Sequence, residues 1–450
     1  MKNLAIKKNT ETDIEKFIAK NSKKYSIPKV ALKALKDFGI FDARVLSVLT
    51  ETEIGAIPNV SEKTAMALVR AADDNFRGPL FQKAADQSER FMSKRKYFTT
   101  GSEAFNELLG GGMPTSAIIE INGEYRTGKT QTCLTCAVTA QLPEEEGGLG
   151  RPVIYIDTEN SFQATHLQDI GKRFGFEPEE LLNNIFVVQA EQLRYLNQAI
   201  DRLPGYVQAL DPGLIIIDSL MAPFRNEFHE LNLLAVRQKK IGKLIGLLKR
   251  IAIAFNTTVI FTNQVMANIG PSGAFIPVKA TGGHVVAHAS DIRIFMKKLK
   301  GNSRRAKIDD CAWLPGDQVD FFITQAGISD EETISLDDVE VPESEIEEVV
   351  DEAENPFLDG INEVAEQKKQ IAKAKKEAKV SKKKKEEEIA SEPVPEKEIK
   401  DENPLSELAD DMMKLEEEAN EEVNSEEKPN KKSKTKTKAA TPAKKSKVPA

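Results

Sequence analysis

Between residues 100 and 327, short apolar runs rich in β-branched residues alternate with stretches whose apolar positions recur three and four apart. The runs fall at 117–121, 153–156, 185–188, 214–217 and 258–262, without polar alternation. Strands apolar on both faces belong to a parallel sheet covered by helices on each side. The stretches between them supply those helices; 231–255, for example, places Leu234, Ile241, Leu244, Leu248, Ile251 and Phe255 on one stripe. Three later runs, 292–296, 305–309 and 319–323, are short and close together, which predicts antiparallel pairing. The pattern predicts an α/β core with a mostly parallel sheet.

Upstream, 30–38 and 65–72 carry helical spacing, and the turn at 57–61 ends in Ser61, an N-cap type. Residues 1–75 therefore read as a small helical domain. A polar break at 73–78, then Pro79 and an amphipathic stretch to Lys96, reads as a linker over 76–99. The core is assigned to 100–328 and a tail to 329–450.

Charge sharpens this division. Of 71 acidic and 63 basic residues, 34 and 22 lie in 331–450, where Phe357 is the only aromatic, leaving 37 and 41 in 1–330. The tail is too charged and too poor in large apolar groups to offset its ordering entropy, so it is expected to be disordered. The N-terminus lacks the apolar core of about 7–15 residues that marks a secretory signal, and no apolar run approaches the ~20 residues that span a bilayer. Cys133 and Cys136 form a C-x-x-C with no second pair and no nearby His, a pattern that favours packed side chains over zinc. A cytoplasmic protein is expected.

The chemistry concentrates at Gly123-Glu124-Tyr125-Arg126-Thr127-Gly128-Lys129-Thr130, which fits G-x-x-x-x-G-K-[ST] between a predicted strand and a predicted helix. Such a loop curls backbone N–H groups round a β-phosphate, Lys129 reaches the β/γ oxygens, and the Thr130 hydroxyl takes Mg²⁺. ATP and Mg²⁺ are the implied ligands, with Gln131 closing the motif. Asp218 ends an apolar strand, as a carboxylate placed behind Mg²⁺ requires. Glu159 follows another strand and has two readings, a base that orients or deprotonates water or an acid at a helix start. The amide of Gln264, at the end of a third strand, is either a γ-phosphate sensor or an ordinary strand-end residue.

At this point the chain resembles the RecA/RadA recombinase family, most closely archaeal RadA and its eukaryotic counterparts. The shared text includes LLGGG at 108–112, GEYRTGKTQ at 123–131, QLPEEEGGLG at 141–150, YIDTENSF at 155–162, LIIIDS at 214–219, TNQVMA at 262–267 and GGHVVAHAS at 282–290. The resemblance covers about 26–328. It implies a RecA-type P-loop ATPase core, with Glu159 as catalytic base, Asp218 as the Mg²⁺-linked acid, Gln264 as γ-phosphate sensor, and Asp310 in a cap placed over a neighbouring subunit's ATP. It also implies a filament joined through Phe81 and Ala84 of an F-x-x-A motif in the linker, and a helix-hairpin-helix module at 57–69. In that module Asn59 and Lys63 stand where family members often have glycine, and glycine there lets backbone N–H groups approach phosphate.

Departures from the family matter equally. In the first DNA-facing loop, Leu231 and Asn232 replace the usual Arg-Gly, while Arg225, Phe228 and Arg237 remain as expected DNA contacts. Losing one cationic contact weakens binding and flattens its salt dependence by about one ion. The second loop, 268–281, is glycine-rich and offers Phe275 and Lys279 to bases or phosphates. Gln163-Ala164-Thr165-His166 replaces Arg-Pro-Glu-Arg, so His166 stands where the family stacks Arg on adenine. Around the ATP cap, Asp310 is kept but the usual Ser-Pro after it is not.

Tail segments 354–364 and 402–415 each begin a capped apolar stripe, read either as a docking helix for a partner or as a nascent helix that binds nothing. The eight lysines of 431–450 either hold DNA non-specifically or form a solvated block. The leading expectation is an archaeal, nucleoid-associated, DNA-dependent ATPase that polymerises on single-stranded DNA and exchanges strands with a homologous duplex in recombination and repair. The alternatives are an accessory paralogue that hydrolyses ATP but loads or remodels another recombinase, and a RecA-like ring helicase.

Overall fold

The apolar runs become the strands of one large sheet in a computed structural model of the chain, which describes residues 12–228, 233–266, 279–280, 285–286 and 288–334. The N-terminal segment holds α1 (Ile14–Tyr25), α2 (Val30–Phe38), a 3₁₀ turn at Ala43–Ser47, α3 (Glu51–Gly55) and α4 (Glu62–Phe76). After α5 (Ala84–Lys94), β1 (Tyr97–Phe98) and β2 (Met113–Pro114) pair around α6 (Glu103–Leu108). The core continues as β3 (Ala117–Gly123), α7 (Lys129–Thr139), β4 (Val153–Asp157), α8 (Ala164–Arg173), α9 (Pro178–Asn183), β5 (Ile185–Gln189), α10 (Leu193–Leu210), β6 (Leu214–Asp218), α11 (Ala222–Glu227), α12 (Leu234–Phe255) and β7 (Thr258–Met266). It closes with β8 (Lys279–Ala280), β9 (Ile292–Lys298), β10 (Ser303–Cys311), β11 (Gln318–Thr324) and β12 (Gly327–Ser329).

The sheet runs β12-β11-β10-β9-β3-β7-β6-β4-β5, with β8 paired to β7 off this path. From β5 to β9 the neighbours are parallel, and β9 to β12 are antiparallel. The expected antiparallel end is thus present, except that β9 is parallel to β3 on its other side. Alternate residues divide between two apolar clusters, as the period of two demands. Ile118, Ile154, Ile156, Ile215, Ile217, Val259 and Phe261 join the cluster that includes α10 and α12. Ile119, Ile121, Val153, Tyr155, Ile216 and Ile260 join the one that includes α7 and α8.

The first cluster continues without a break into α1–α4. Gln208 of α10 holds this junction: its Oε1 accepts from the backbone N–H groups of Phe41 and Asp42 at 3.0 and 3.3 Å, and its Nε2 donates to the Gly39 carbonyl at 2.6 Å. Arg44 bridges Asp42 and Asp211 at 2.7 and 3.0 Å, with its guanidinium over the Phe255 ring. Burial alone would lower the pKa of Arg44, but the two carboxylates outweigh it and raise it. Asn59 takes a φ of 66°, the left-handed region a glycine would favour, and Ser61 caps α4 as expected.

Several boundaries differ from the sequence reading. Helix α1 was not foreseen, although Asp13 caps it and Ile14, Phe17 and Ile18 form its buried face. Its polar residues mask the stripe. The break expected at 73–78 begins later, because α4 runs to Phe76. Leu234 is 43% exposed, so the buried stripe of α12 starts at Ile241. The core extends past 328: Ser329 is in β12, and the Asp330 carboxylate accepts from Ser102 Oγ and Glu103 N, both at 2.5 Å. Phe275, the segments 354–364 and 402–415, and the lysines of 431–450 lie outside the described residues. No helix among the described residues is long and apolar enough to cross a membrane.

Candidate nucleotide site

Parallel strands deliver the ends of β3, β4, β6 and β7 to one edge, with Gly123 opposite Gln264 and Asp157 opposite Asp218. Ligands of open α/β sheets bind outside such carboxyl ends. Here a cleft of about 750 Å³ is lined by the 125–131 loop, Glu159, Asp218, Thr262, Gln264, His166, Asp169, Arg304 and Ile323, among others.

The loop's glycines are fixed by packing. A Cβ on Gly123 would come within 2.4 Å of the Met296 carbonyl oxygen, and one on Gly128, at φ +100°, within 2.3 Å of Ile323 Cδ1. Gly128 is the N-cap of α7 and no side chain caps that helix, so its first-turn N–H groups are available to an anion. Lys129 Nζ donates to the Gly123 and Glu124 carbonyls at 3.1 and 2.8 Å, crossing the loop mouth. Burial lowers its pKa, while Asp218 and Glu159 pull the other way.

Asp218 is 3% exposed and accepts from Tyr155 OH at 3.1 Å and from Thr262 Oγ1. Burial raises its pKa, and hydrogen bonds from Thr262, Thr130 and Tyr155 oppose the rise. Thr130 and Asp218 both line the cleft, as hard oxygen donors at a Mg²⁺ site should. One hydroxyl and one carboxylate suit Mg²⁺, which keeps waters and takes its remaining ligands from phosphate.

Glu159 Oε1 accepts from Ser219 Oγ at 2.6 Å and from Gln264 Nε2 at 3.2 Å. The strand-end loop beneath it is stiffened by Asp157, which accepts from Glu159 N and Phe162 N at 3.1 and 2.9 Å, and by Thr158 Oγ1 donating to the Ser219 carbonyl at 2.7 Å. His166 Nε2 lies 2.5 Å from Gln131 Oε1, and its pKa is lowered by burial, which favours a neutral ring.

The expected ATP-site residues Lys129, Thr130, Gln131, Glu159, His166, Asp218 and Gln264 thus meet at one cleft. Asp310 does not line it; exposed on β10, it pairs with Arg293 just beyond a register shift. Two sequence expectations change. Phe228, expected to face DNA, is 9% exposed and stacks on Phe224 with ring centroids 6.5 Å apart. Spaced four apart at the end of α11, the two rings share one helical face and pack inward. Arg225 donates from Nη1 to Gln264 Oε1 at 3.0 Å, which ties it to the nucleotide site. Arg237 is half-buried on α12, its Nε without a hydrogen-bond partner among the described residues. Lys279 lies in β8, paired with Met266.

Sequence reasoning missed Ser219, Tyr155, Thr262 and Arg304. The first three contact Glu159 or Asp218 from adjacent strand ends, inside quoted motifs whose other letters drew the assignment. Arg304 lines the cleft from β10, donating to the Gly301 and Ser303 carbonyls at 3.1 and 2.8 Å. Nothing in its local sequence separates it from a surface arginine. Cys133 and Cys136 are buried in the core on α7, and burial pushes Cys136 up to about 12, so it is a protonated packing residue.

This sheet and this loop define a RecA-type nucleotide-binding domain. The sequence model of the Rad51 family matches residues 93–331, more than half of the chain. A meiotic recombination protein DMC1/LIM15 homolog of Mus musculus is 38% identical over 314 residues, covering 68% of this chain and 91% of that protein. The DNA repair and recombination protein RadA of Aeropyrum pernix is 35% identical over 306 residues, covering 68% of this chain and 94% of that protein. The chain belongs to the Rad51 family.

Proposed function

We propose that this chain is a DNA-dependent ATPase that assembles on single-stranded DNA and carries out homologous pairing and strand exchange in recombination and repair. The observation that carries the reading is the meeting of Lys129, Thr130, Asp218, Glu159 and Gln264 in one cleft. In this reading Lys129 leaves the loop carbonyls for the stronger acceptors of the β- and γ-phosphates. Glu159, with Ser219 and Gln264 fixing its carboxylate, orients and deprotonates the attacking water. Gln264 senses the γ-phosphate, and His166 and Gln131 lie toward the base. Thr130 would hold a Mg²⁺ ion with Asp218 behind it, and the ion would supply positive charge to the triphosphate.

The same proposal divides the chain into a helical module at 1–75, a linker at 76–99, an ATPase core from 100 and a tail. Assembly rests on Leu80 and Phe81, which are 91% and 92% exposed on the linker beside Ala84. Side chains so apolar and so bare are explained by insertion into a second copy of the chain. Asp310 then approaches ATP bound by the neighbouring copy. Phe81→Glu is expected to leave monomers in sedimentation runs with ATP and DNA; filaments of unchanged length would refute this joint.

Strand exchange between single-stranded DNA and a homologous labelled duplex, with ATP and Mg²⁺, tests the whole. Exchange that needs homology and disappears in Lys129→Ala is expected. The accessory-paralogue reading is favoured by one observation, the burial of Phe228 at the first DNA loop. ATP hydrolysis without exchange across salt and protein concentrations would decide for it.

A further inference from the structure

Arg225 stands at the start of the expected first DNA loop in sequence, yet its guanidinium ends at the nucleotide site. Helix α11 begins four residues after Asp218 and is anchored by buried Ala222, Pro223 and Phe224, which leaves Arg225 half-buried and turned toward the end of β7. There Nη1 donates to Gln264 Oε1 at 3.0 Å, Gln264 Nε2 donates to Glu159 Oε1 at 3.2 Å, and Ser219 Oγ donates to the same carboxylate oxygen at 2.6 Å. The positive charge of Arg225 also reaches Lys129, where it acts to lower the ammonium pKa.

The orientation of the Gln264 amide follows from chemistry alone. A guanidinium has only donors and a carboxylate only acceptors, so the amide must turn its carbonyl to Arg225 and its NH₂ to Glu159. Flipping it would set donor against donor and acceptor against acceptor. With Arg225 in place, Gln264 presents N–H groups to the carboxylate and to the γ-phosphate side. Without Arg225, either face of the amide is available.

We propose that Arg225 is a positioning residue for ATP hydrolysis: by holding the Gln264 carbonyl it fixes the amide that aligns Glu159. The inference rests on the ATPase reading above. It places the start of the first DNA loop one side chain from the γ-phosphate sensor, so that a phosphate drawing on the remaining guanidinium donors acts on the same residue.

The test is steady-state ATP hydrolysis by the full chain, without DNA and at saturating single-stranded DNA, for wild type, Arg225→Gln, Arg225→Lys, Gln264→Ala and the Arg225→Gln/Gln264→Ala double variant. Melting curves verify that each is folded. Arg225→Gln is expected to lower kcat about tenfold in both conditions with the KM for ATP little changed, the scale of one lost charge-assisted hydrogen bond. Arg225→Lys should restore part of that rate, and the double variant should be no slower than Gln264→Ala alone, since both changes break one pathway. A kcat that returns to the wild-type value at saturating DNA would make Arg225 a DNA contact and overturn the inference. Additive losses in the double variant would also overturn it, because Arg225 would then act without Gln264. Wild type that hydrolyses no ATP in either condition would instead remove the ATPase reading itself.

Discussion

Asp218, in the candidate nucleotide site, is set against its own fold. Burial holds its pKa above the usual 3.8, against the pull of Thr262, Thr130 and Tyr155. Below that usual value the carboxyl is protonated in folded and unfolded chains alike, and no penalty exists. As pH rises through the higher folded pKa, ionisation inside the protein costs stability. Asp218→Asn should therefore melt a few degrees above wild type at neutral pH, with ~1 kcal/mol of relief in a domain this size, and converge with it in acid. It should also lose Mg²⁺-dependent turnover. Calorimetry across pH checks the first claim; a variant that melts lower at neutral pH would mean that hydrogen bonds to the carboxylate outweigh its burial. At this scale the place of the loop residues and Asp218 in the cleft was legible because phosphate-loop chemistry demands those types there, whereas Glu159 and Gln264 kept two readings each until the family resemblance chose between them. Ser219 and Arg304 were not legible, because their roles arise only when distant strands meet. Phe228, expected to face DNA, instead packs on Phe224 four residues earlier.

Among the elements, β3 was read as an apolar run, yet all seven of its residues are buried and one of them is Glu120. Its carboxylate accepts from Asn263 Nδ2 and Arg293 Nε, each at 2.8 Å, and Arg293 reaches on to Asp309 at 3.4 Å. The partners of this buried carboxylate are supplied by β9, which sets Arg293 opposite Glu120, and by β7, which brings the Asn263 amide. No local pattern reveals such a pair, since each member looks like a lapse in its own strand. Glu120→Ala would leave Arg293, whose side chain is 15% exposed, with only the half-exposed Asp309 as a partner, and should cost about 3 kcal/mol. Glu120→Gln, which keeps the volume and one acceptor but turns its NH₂ toward the other donor, should cost less than the truncation. Denaturant midpoints measure both, and equal losses would show that the lost charge rather than the lost volume governs the site. The sheet's parallel half was legible from uninterrupted apolar runs, and α1 was hidden by the lysines and glutamates around its narrow apolar face.

For the whole molecule, composition and linker signals divided the chain into modules, but the apolar cluster crosses from α1–α4 to the sheet without a gap. Junctions of this kind depend on residues such as Gln208 and Arg44 whose partners lie far away in sequence, so they escape any reading by windows. Arg44→Ala leaves Asp42 without its ion-pair partner and removes the cation over Phe255. It should cost ~3 kcal/mol at this junction and speed amide exchange in α1–α4 well before the core exchanges. Uniform exchange across both regions would show that the junction and the core unfold together.

The phosphate loop also has a consequence for the order in which the chain is made. Its glycines at 123 and 128 are shaped by Met296 and Ile323, and Ser102, at the start of the core, is bonded to Asp330, 228 positions later. A nascent chain that has already left the ribosome through α7 still lacks the walls of its nucleotide site. ATP therefore cannot stabilise the protein piecemeal during translation; the site matures in one step, after the last strand emerges, and until then the half-built sheet must be kept from pairing with others.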